Sequence, residues 1–326
     1  MTVTITRRTA LGAASLALIG RTPAHAQKEW PNSAVTIVVP FAAGGSTDAV
    51  ARILAQQLST EFGKPVVVEN RSGATGTIGF GTVARAKPDG HTLAVGPGST
   101  FAMAPHLMKL PYNAERAFAG VGLIATMPMF LVVSKDSPYR TLADFLEEAK
   151  RPGTKINYGH AGVGSSMHLA VELFLQVAKV ELQGVPYRGA APAVQAVLGG
   201  EIQTTMPPSS GVMSYIKSGT VRALAVSTKE RSSFAPDVPT VAEQGFPDYE
   251  VVEEIAMLAP AGTPEPILRR LNEATAAAFA IPEVRNRLDT LAVAPAVGRI
   301  EDWPPHFAAE FRKWGEVIRS RDIKLE

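Results

Sequence analysis

Short apolar runs alternate with amphipathic segments along the chain, and this pattern predicts its secondary structure. A β-branched run such as VTIVV is typical of a strand covered on both faces, while apolar positions three and four apart are typical of a helix. Strands are predicted at 35–40, 65–69, 92–96, 129–134, 155–159, 183–187, 201–206, 221–227 and 251–258. Helices are predicted at 47–61, 77–86, 141–150, 166–179, 190–199, 211–218, 264–279, 282–291 and 303–320. The alternation predicts an α/β fold with parallel-rich sheets and flanking helices.

So many strands in a chain of this length are better divided between two lobes than joined in one sheet. A new strand–turn–helix unit begins at residue 129, and 251–262 has the pattern of a return strand ahead of a helix-rich tail. We therefore expect lobe 1 to comprise 27–128 and 253–326, and lobe 2 to comprise 129–252. Two crossings between the lobes would form a hinge, with a ligand cleft between the lobes.

The first 26 residues have the pattern of an export signal. Arg7 and Arg8 precede an apolar stretch that is too short to span a membrane, and Ala24-His25-Ala26 is a small-x-small cleavage pattern. We expect cleavage after Ala26 and a periplasmic mature protein. The paired arginines fit the twin-arginine route, but ordinary secretory signals also begin with basic residues.

Charge and cysteine content exclude several classes of function. The chain has a formal charge of +2, which falls to −1 without the predicted signal because that segment carries three arginines and no acid. With no basic field, a nucleic-acid partner is not expected. The chain has no cysteine, so it forms neither disulfides nor thiolate metal sites. We expect no cofactor and no metal.

Two glycine-rich segments each follow a predicted strand and lead into a predicted helix. The first is FAAGGSTD at 41–48, in which Ser46, Thr47 or Asp48 could cap the helix. The second is GHAGVGSS at 159–166, in which Ser165 or Ser166 could do so. Free amides at a helix start, with the positive end of the helix dipole behind them, suit a carboxylate or phosphate.

Each segment alone is better explained as an ordinary strand–helix turn, but the two fall in different lobes. Because loops at the carboxyl ends of parallel strands face a common crevice, together they favour one shared anion site. A third junction, VPYRGAAP at 185–192, and the loops at 95–105 and 204–213 extend this rim.

The sharper catalytic and nucleotide motifs are absent from the sequence. FAAGGSTD lacks the Gly-Lys-Ser/Thr ending of a phosphate-binding loop, and the chain has neither a G-x-S-x-G nor an H-E-x-x-H motif. His168 is read as a packing residue inside a helix, and His160 either faces the cleft or packs. Glu253 and Glu254 are adjacent in a strand, so they point to opposite faces and are read as solvated charges.

Three further residues keep two interpretations each. Arg188 either binds a ligand carboxylate through two hydrogen bonds or is a surface or inter-lobe ion-pair residue. Phe41 belongs either to the core or to the floor of the cleft. Asp48 is favoured as a first-turn acid over a ligand for a substrate amine.

The ordered motifs of the chain resemble a known receptor family. They are VTIVVPFAAGGSTDAVAR, GKPVVVENRSGATGTIG, ARAKPDGHTL, INYGHAGVGSSMHLAVELF, VPYRGAAPAVQAVLGG, VRALAVSTKERSSFAPDVPTVAEQGFPDYE and LAPAGTPEPILRRLN. Together they resemble the Bug family, the extracytoplasmic solute receptors of tripartite tricarboxylate transporters, from about Trp30 to Lys324. The resemblance implies a two-lobed (type II-like) periplasmic binding protein, monomeric and not an enzyme. It would close on a small carboxylate and deliver it to integral-membrane permease subunits.

The resemblance also implies a set of ligand-binding residues. In the family, backbone amides and hydroxyls of the two glycine loops hold the ligand carboxylate. Carried over, this gives Phe41, Gly44, Gly45, Ser46, Thr47, Asp48, Gly162, Val163, Gly164, Ser165 and Ser166, with Ser99 and Thr100 on a hydroxyl-bearing rim loop. To these we add His160, Arg188 and Pro207 as cleft-wall residues.

Departures from the family pattern bear on the ligand. Arg188 stands where the family has lysine, Ala190 where it commonly has serine, and Pro207-Pro208 where it commonly has an acidic residue or asparagine. The far wall therefore loses polar groups, and the hypothesis is a ligand with one firmly held carboxylate and a flat or apolar body, such as an aromatic acid. Alternatives are a hydrolase that uses Ser165 or Ser166 with His160 or His168, and a ligand-sensing module.

Overall fold

A computed structural model describes residues 30–325 and shows two β-sheets with flanking helices. The strands are β1 Val35–Val39, β2 Val66–Asn70, β3 Thr92–Pro97, β4 Phe118–Pro128, β5 Phe130–Ser134, β6 Asn157–His160, β7 Gln183–Pro186, β8 Thr204–Thr205, β9 Val221–Val226, β10 Val252–Pro260 and β11 Ala294–Pro295. The helices are α1 Ser46–Phe62, α2 Thr77–Ala84, α3 Leu142–Ala149, α4 Ser166–Ala178, α5 Ala190–Leu198, α6 Ser209–Lys217, α7 Glu265–Ala280, α8 Pro282–Thr290 and α9 Trp303–Ser320.

The first sheet has the strand order β11-β4-β10-β3-β1-β2. β1 pairs with β2 and β3 in parallel, as the β-branched run predicts, and its valines are buried. β10 lies antiparallel between β3 and β4, with both faces covered. α1 and α7 pack against this sheet and against each other. The sheet therefore presents the carboxyl ends of β1 and β3 at one edge.

The second sheet has the order β7-β6-β8-β5-β9. β6 pairs in parallel with β7 and β8, whereas β5 is antiparallel to β8 and β9. Both sheets are thus mixed rather than parallel-rich. The antiparallel pairs include the strands next to the two crossings between the sheets. The chain leaves the first sheet along β4 and β5 and returns along β9 and β10, so β10 runs antiparallel to β4 and β9 runs antiparallel to β5.

The two passages between the sheets are hydrogen-bonded to each other. Met129 separates β4 from β5, and its backbone N–H donates to the Ser227 hydroxyl at 2.9 Å. Ser227 in turn donates its hydroxyl to the Val251 carbonyl, and the backbone N–H of Val251 donates to the Ser227 carbonyl at 3.0 Å. The outgoing and returning segments are therefore bonded to each other at the crossing, between the antiparallel pairing of β4 with β10 and that of β5 with β9.

The predicted elements are found with shifts of a few residues at their ends, with three differences. Neither β4, the longest strand, nor the two-residue β11 is among the predicted strands, and residues 99–106 are short π- and 3₁₀-helical turns rather than an open rim loop. The predicted export signal lies outside the described residues. The domain boundaries at 128/129 and 252/253 stay a prediction. No helix between residues 30 and 325 has the length and apolarity needed to cross a membrane.

Candidate functional site

A cleft of about 420 Å³ lies where the two sheets face each other. Both glycine loops contribute to it, and so does the junction before α5. Its walls are Phe41, Ala42, Gly45, Ser46, Thr47, Asp48, Pro97, Ser99, Met127, Ala161, Ser165, Ser166, Met167, Arg188, Gly189, Ala190, Pro208 and Glu253. The three junctions that the sequence pattern places on a common rim therefore meet in one cavity.

Three helices begin at the cleft. The residue before each, Gly45 for α1, Ser165 for α4 and Gly189 for α5, is among the lining residues. The first N–H groups of a helix have no partner within the helix, and the helix dipole adds partial positive charge there. Three such ends directed at one cavity make a strong site for an anion.

The first glycine loop is held in shape by Asp48. Its carboxylate accepts the backbone N–H of Gly44 at 2.9 Å, Arg52 Nε at 3.0 Å and Asn70 Nδ2 at 2.9 Å. Burial raises the pKa of Asp48, but these hydrogen bonds outweigh burial and hold the pKa below its usual value. Asp48 is thus occupied by protein donors, as the first-turn interpretation expects.

The capping of α1 differs from the prediction. None of Ser46, Thr47 or Asp48 precedes the helix: Gly45 occupies the capping position in an extended conformation, and no side chain caps the amides. Gly44 has φ +93°, a conformation that glycine adopts without strain. The uncapped amides are consequently available to a ligand.

The second glycine loop is capped by Ser165, one of the two predicted caps, whose hydroxyl accepts the backbone N–H of His168 at 3.2 Å. Gly164 has φ +76°, and a Cβ there would lie 2.1 Å from Leu107 Cδ1. Leu107 belongs to the segment that connects β3 to β4 of the first sheet. The second glycine loop therefore lies directly against this connecting segment.

The two histidines near this loop are stacked on each other rather than placed in the cleft. Their ring centroids are 4.2 Å apart, and His160 is 2% exposed. His168 Nδ1 accepts the backbone N–H of Gly164 at 3.1 Å, and burial lowers the pKa of His168 to about 3. Burial also lowers the pKa of His160. Both rings are neutral packing groups that support the loop.

The serine–histidine arrangement of a hydrolase is not formed by these residues. His168 Nδ1 is occupied by a backbone donor, and its Nε2 lies 3.8 Å from Glu172. Ser165 uses its hydroxyl as a helix cap. Within residues 30–325, no group of three or more His, Cys, Asp or Glu side chains is placed to hold a metal ion.

Of the predicted site residues, nine line the cleft: Phe41, Gly45, Ser46, Thr47, Asp48, Ser99, Ser165, Ser166 and Arg188. Seven do not: Gly44, Thr100, His160, Gly162, Val163, Gly164 and Pro207. Thr100 faces Gly76 instead. Pro208 takes the place predicted for Pro207, because successive residues of an extended segment point to opposite sides. The glycines that do not line the cleft shape the two loops.

The far wall is largely apolar. Ala190, Pro208 and Met167 lie there, and Arg188 is exposed at its rim. The departures from the family pattern noted in the sequence therefore all border the cavity or lie beside it.

Sequence reasoning missed one charged residue of the cleft. The strand pattern predicts a solvated charge at Glu253, but this residue is 7% exposed, lines the cavity and leaves its Oε2 without a hydrogen-bond partner. Glu254 is buried as well and pairs with His306, with 3.0 Å between Glu254 Oε1 and His306 Nε2. The composition of the strand could have indicated that these acids are buried, because Glu253 and Glu254 stand in an otherwise apolar run.

Comparison with known proteins gives a consistent family. The family described as "Tripartite tricarboxylate transporter family receptor" matches residues 50–323. The solved periplasmic binding protein BugD is 34% identical, with TM-score 0.78, and the match covers 91% of this chain and 100% of BugD.

Two further solved structures are similar and carry ligands. Rpa4515 of R. palustris, solved with adipate, is 34% identical with TM-score 0.81, and the match covers 91% of this chain and 99% of that protein. MatC of Rhodopseudomonas palustris, solved with bound malate, is 35% identical with TM-score 0.77, and the match covers 89% of this chain and all of MatC.

Proposed function

The chain belongs to the tripartite tricarboxylate transporter receptor family, as its motifs predict, and we propose that it binds a small organic carboxylate in the cleft described above. The family is one of receptors and not of enzymes, and its solved members include periplasmic binding proteins. The observation that carries the proposal is the meeting of three helix N-termini, those of α1, α4 and α5, at one cavity.

The carboxylate is held by uncapped backbone amides at Ser46, Thr47 and Ser166 and by the hydroxyls of Ser99 and Ser165. Amide and hydroxyl donors suit a carboxylate without a buried cation, since the dipoles of the helices supply the positive potential. The adipate and malate bound to related proteins support this class of ligand.

The ligand body is flat or apolar, in keeping with the hypothesis from the sequence. Phe41, Met127 and Pro208 give the cavity an apolar lining, and Met167 and Ala190 add apolar side chains from the first turns of α4 and α5. An aromatic carboxylic acid fits such a lining, because its ring buries apolar area while its carboxylate reaches the amides.

Binding is coupled to closure of the two lobes about the crossings at 128/129 and 252/253, and the closed form presents its ligand to a membrane transporter. The chain acts as a monomer in the periplasm after removal of the predicted signal.

Ligand identity is tested by calorimetry with mono-, di- and tricarboxylates and aromatic acids. A ligand at about 100 times its Kd should also add roughly 2.7 kcal/mol to the free energy of unfolding. Saturable binding of an unchanged acid is the expected result. Tight binding of citrate or aspartate with no binding of benzoate-type acids would refute the aromatic body, and product formation would refute the receptor role.

Closure is tested separately with spin labels. Because the natural chain has no cysteine, Thr60→Cys and Lys217→Cys introduce two labelling sites without background. Both positions are exposed, one on α1 and the other on α6. We expect the inter-label distance to shorten when a ligand binds. An unchanged distance at saturation would contradict closure while leaving carboxylate binding intact.

A further inference from the structure

Glu253 is the most unusual polar group of the cleft. It lies at the start of β10, opposite Met127 of β4, in a buried position where a charged side chain is costly. Its side chain lines the cleft, and its Oε2 is buried with no hydrogen-bond partner. A buried carboxyl oxygen without a donor is unfavourable unless a bound molecule supplies one.

The residues from 30 to 325 provide this carboxyl with one hydrogen bond and no cation. The Ser166 hydroxyl is its hydrogen-bond partner. Burial raises the pKa of Glu253 to about 7, and the adjacent Glu254 adds to the rise. Such a carboxyl is only partly ionised near neutral pH, so a donor from a ligand would shift it towards the charged form.

The other charged groups that face Glu253 do not neutralise it. Glu254 is engaged by His306, and Asp48 across the cleft is engaged by Arg52 and Asn70. Glu310 of α9, which lines a small cavity shared with Glu253, accepts the indole N–H of Trp314. Arg188 lies at the exposed rim of the cleft.

The cleft therefore offers both kinds of hydrogen-bonding partner. The starts of α1, α4 and α5 offer hydrogen-bond donors, which suit a carboxylate. Glu253, beside Ser166 at the start of α4, offers an acceptor, which suits a hydroxyl or an ammonium group. A molecule that carries both a carboxylate and such a donor satisfies both groups at once.

We propose that Glu253 accepts a hydrogen bond from a hydroxyl or ammonium group of the bound carboxylate, so that this receptor selects hydroxy or amino acids over their unsubstituted analogues. The inference rests on the proposed function of the cleft as a carboxylate site. Glu253 is then a specificity-determining residue, because binding a ligand without the donor leaves a buried oxygen unpaired.

The test uses matched pairs of probes in calorimetry at pH 8: benzoate and 4-hydroxybenzoate, succinate and malate, and succinate and aspartate. We expect the donor-bearing member of at least one pair to bind about tenfold more tightly or better. Glu253→Leu should abolish that preference. Glu253→Gln, which keeps a neutral acceptor, should reduce a preference for hydroxyl and abolish one for ammonium, so the variant distinguishes the two donors.

Two controls accompany these variants. Glu254→Gln changes the neighbouring acid, which does not line the cleft, and should leave the preference unchanged. Urea unfolding shows whether Glu253→Leu is folded, and its affinity for the unsubstituted acid should be retained or raised, because the unpaired buried oxygen is gone.

The pH dependence gives a second readout. An ionised acceptor predicts that the preference grows from pH 6 to pH 8. A preference that falls over this range would mean that protonated Glu253 donates to the ligand, which would overturn the inference. Equal affinities within every pair, or a preference that survives in Glu253→Leu, would also overturn it while leaving the carboxylate site intact. If no acid binds the wild-type protein, the proposed function itself fails.

Discussion

Arg321, directly after α9, donates through Nε to Glu172 Oε2 of α4 at 2.6 Å. Glu172 also accepts the Tyr158 hydroxyl, and the other guanidinium nitrogens of Arg321 bind both oxygens of Glu181 at 2.7 Å. The Trp303 ring of α9 packs against Phe101 and against Gly120 of β4 in the first sheet. Arg321 therefore ties α9 to α4, the helix that begins at the end of the second glycine loop.

Arg321→Met should lower the free energy of unfolding by about 3 kcal/mol, because it leaves the buried carboxylate of Glu172 without its cation. Glu181→Gln is the matched control. Its carboxylate is 78% exposed, so its loss should cost less than about 1 kcal/mol. Urea unfolding followed by circular dichroism measures both. Equal losses for the two variants would show that the Glu172 contact is not the stabilising one.

Asp48→Asn should weaken ligand binding by about tenfold or more and destabilise the protein by about 2 kcal/mol, since the charged acceptor organises the first glycine loop. Calorimetry and urea unfolding measure the two effects. The control is Arg52→Met, which removes an exposed donor and should cost much less stability than Asp48→Asn, because solvent screens its charge.

The lowered pKa of Asp48 predicts that the protein loses stability in acid. The pKa of Asp48 is lower in the folded chain than in the unfolded one, where it is 3.8. Its contribution is therefore fully present above about pH 4 and is lost as the pH falls below that value. Unfolding curves of the wild type and Asp48→Asn should converge at low pH. A difference that stays constant down to about pH 2 would contradict this assignment.

Gly45→Val should abolish ligand binding while leaving stability nearly unchanged. Gly45 has an ordinary extended conformation, and a Cβ at this position would have no atom within 4 Å, so valine projects into the cleft without strain in the protein. Gly44→Val is the contrasting variant. It should cost at least about 1 kcal/mol because φ there is +93°. Retained affinity in Gly45→Val would remove that loop from the site.

His168→Gln should flatten the dependence of stability on pH between pH 7 and pH 5. The pKa of His168 is about 3 in the folded chain and 6.5 in the unfolded one, so the unfolded state binds the extra proton. Stability from this group is present above about pH 6.5 and falls below it, by about 2 kcal/mol at pH 5.

His306→Gln supplies the opposite control for that experiment. The Glu254 carboxylate raises the pKa of His306, so its contribution is present at acidic pH and is lost as the pH rises through the folded value. The two variants should therefore change the pH profile in opposite directions. A shift of the same sign would contradict the neutral state assigned to His168.

Local sequence pattern was sufficient for most elements but not for β4. Gly120 and Gly122 interrupt its apolar run, which is why the pattern predicts no strand there. The strand forms because Gly120 admits the Trp303 ring, whose Cδ1 would lie 2.0 Å from a Cβ at that position. That contact joins residues far apart in the chain, and no local window of sequence contains it.

The candidate site shows the same limit. The start of α4 at Ser165 follows from glycine and serine next to an apolar run, whereas the cap of α1 at Gly45 differs from the predicted Ser46, Thr47 or Asp48. The alternation of side chains along a strand predicts that Glu253 and Glu254 lie on opposite faces of β10. It does not show that both faces of β10 are buried. That follows from the position of β10 between β3 and β4, which is decided by pairing across the whole chain.

The junction of Met129, Ser227 and Val251 has a mechanical consequence. If the two crossings between the sheets were not bonded to each other, the two sheets could slide, twist or separate relative to each other. Because the outgoing and returning segments are hydrogen-bonded side by side at this junction, neither can slide past the other without breaking these bonds, and the proposed closure would take the form of a rotation at the paired crossings. A cleft that opened in this way would present the same two walls to each ligand that enters.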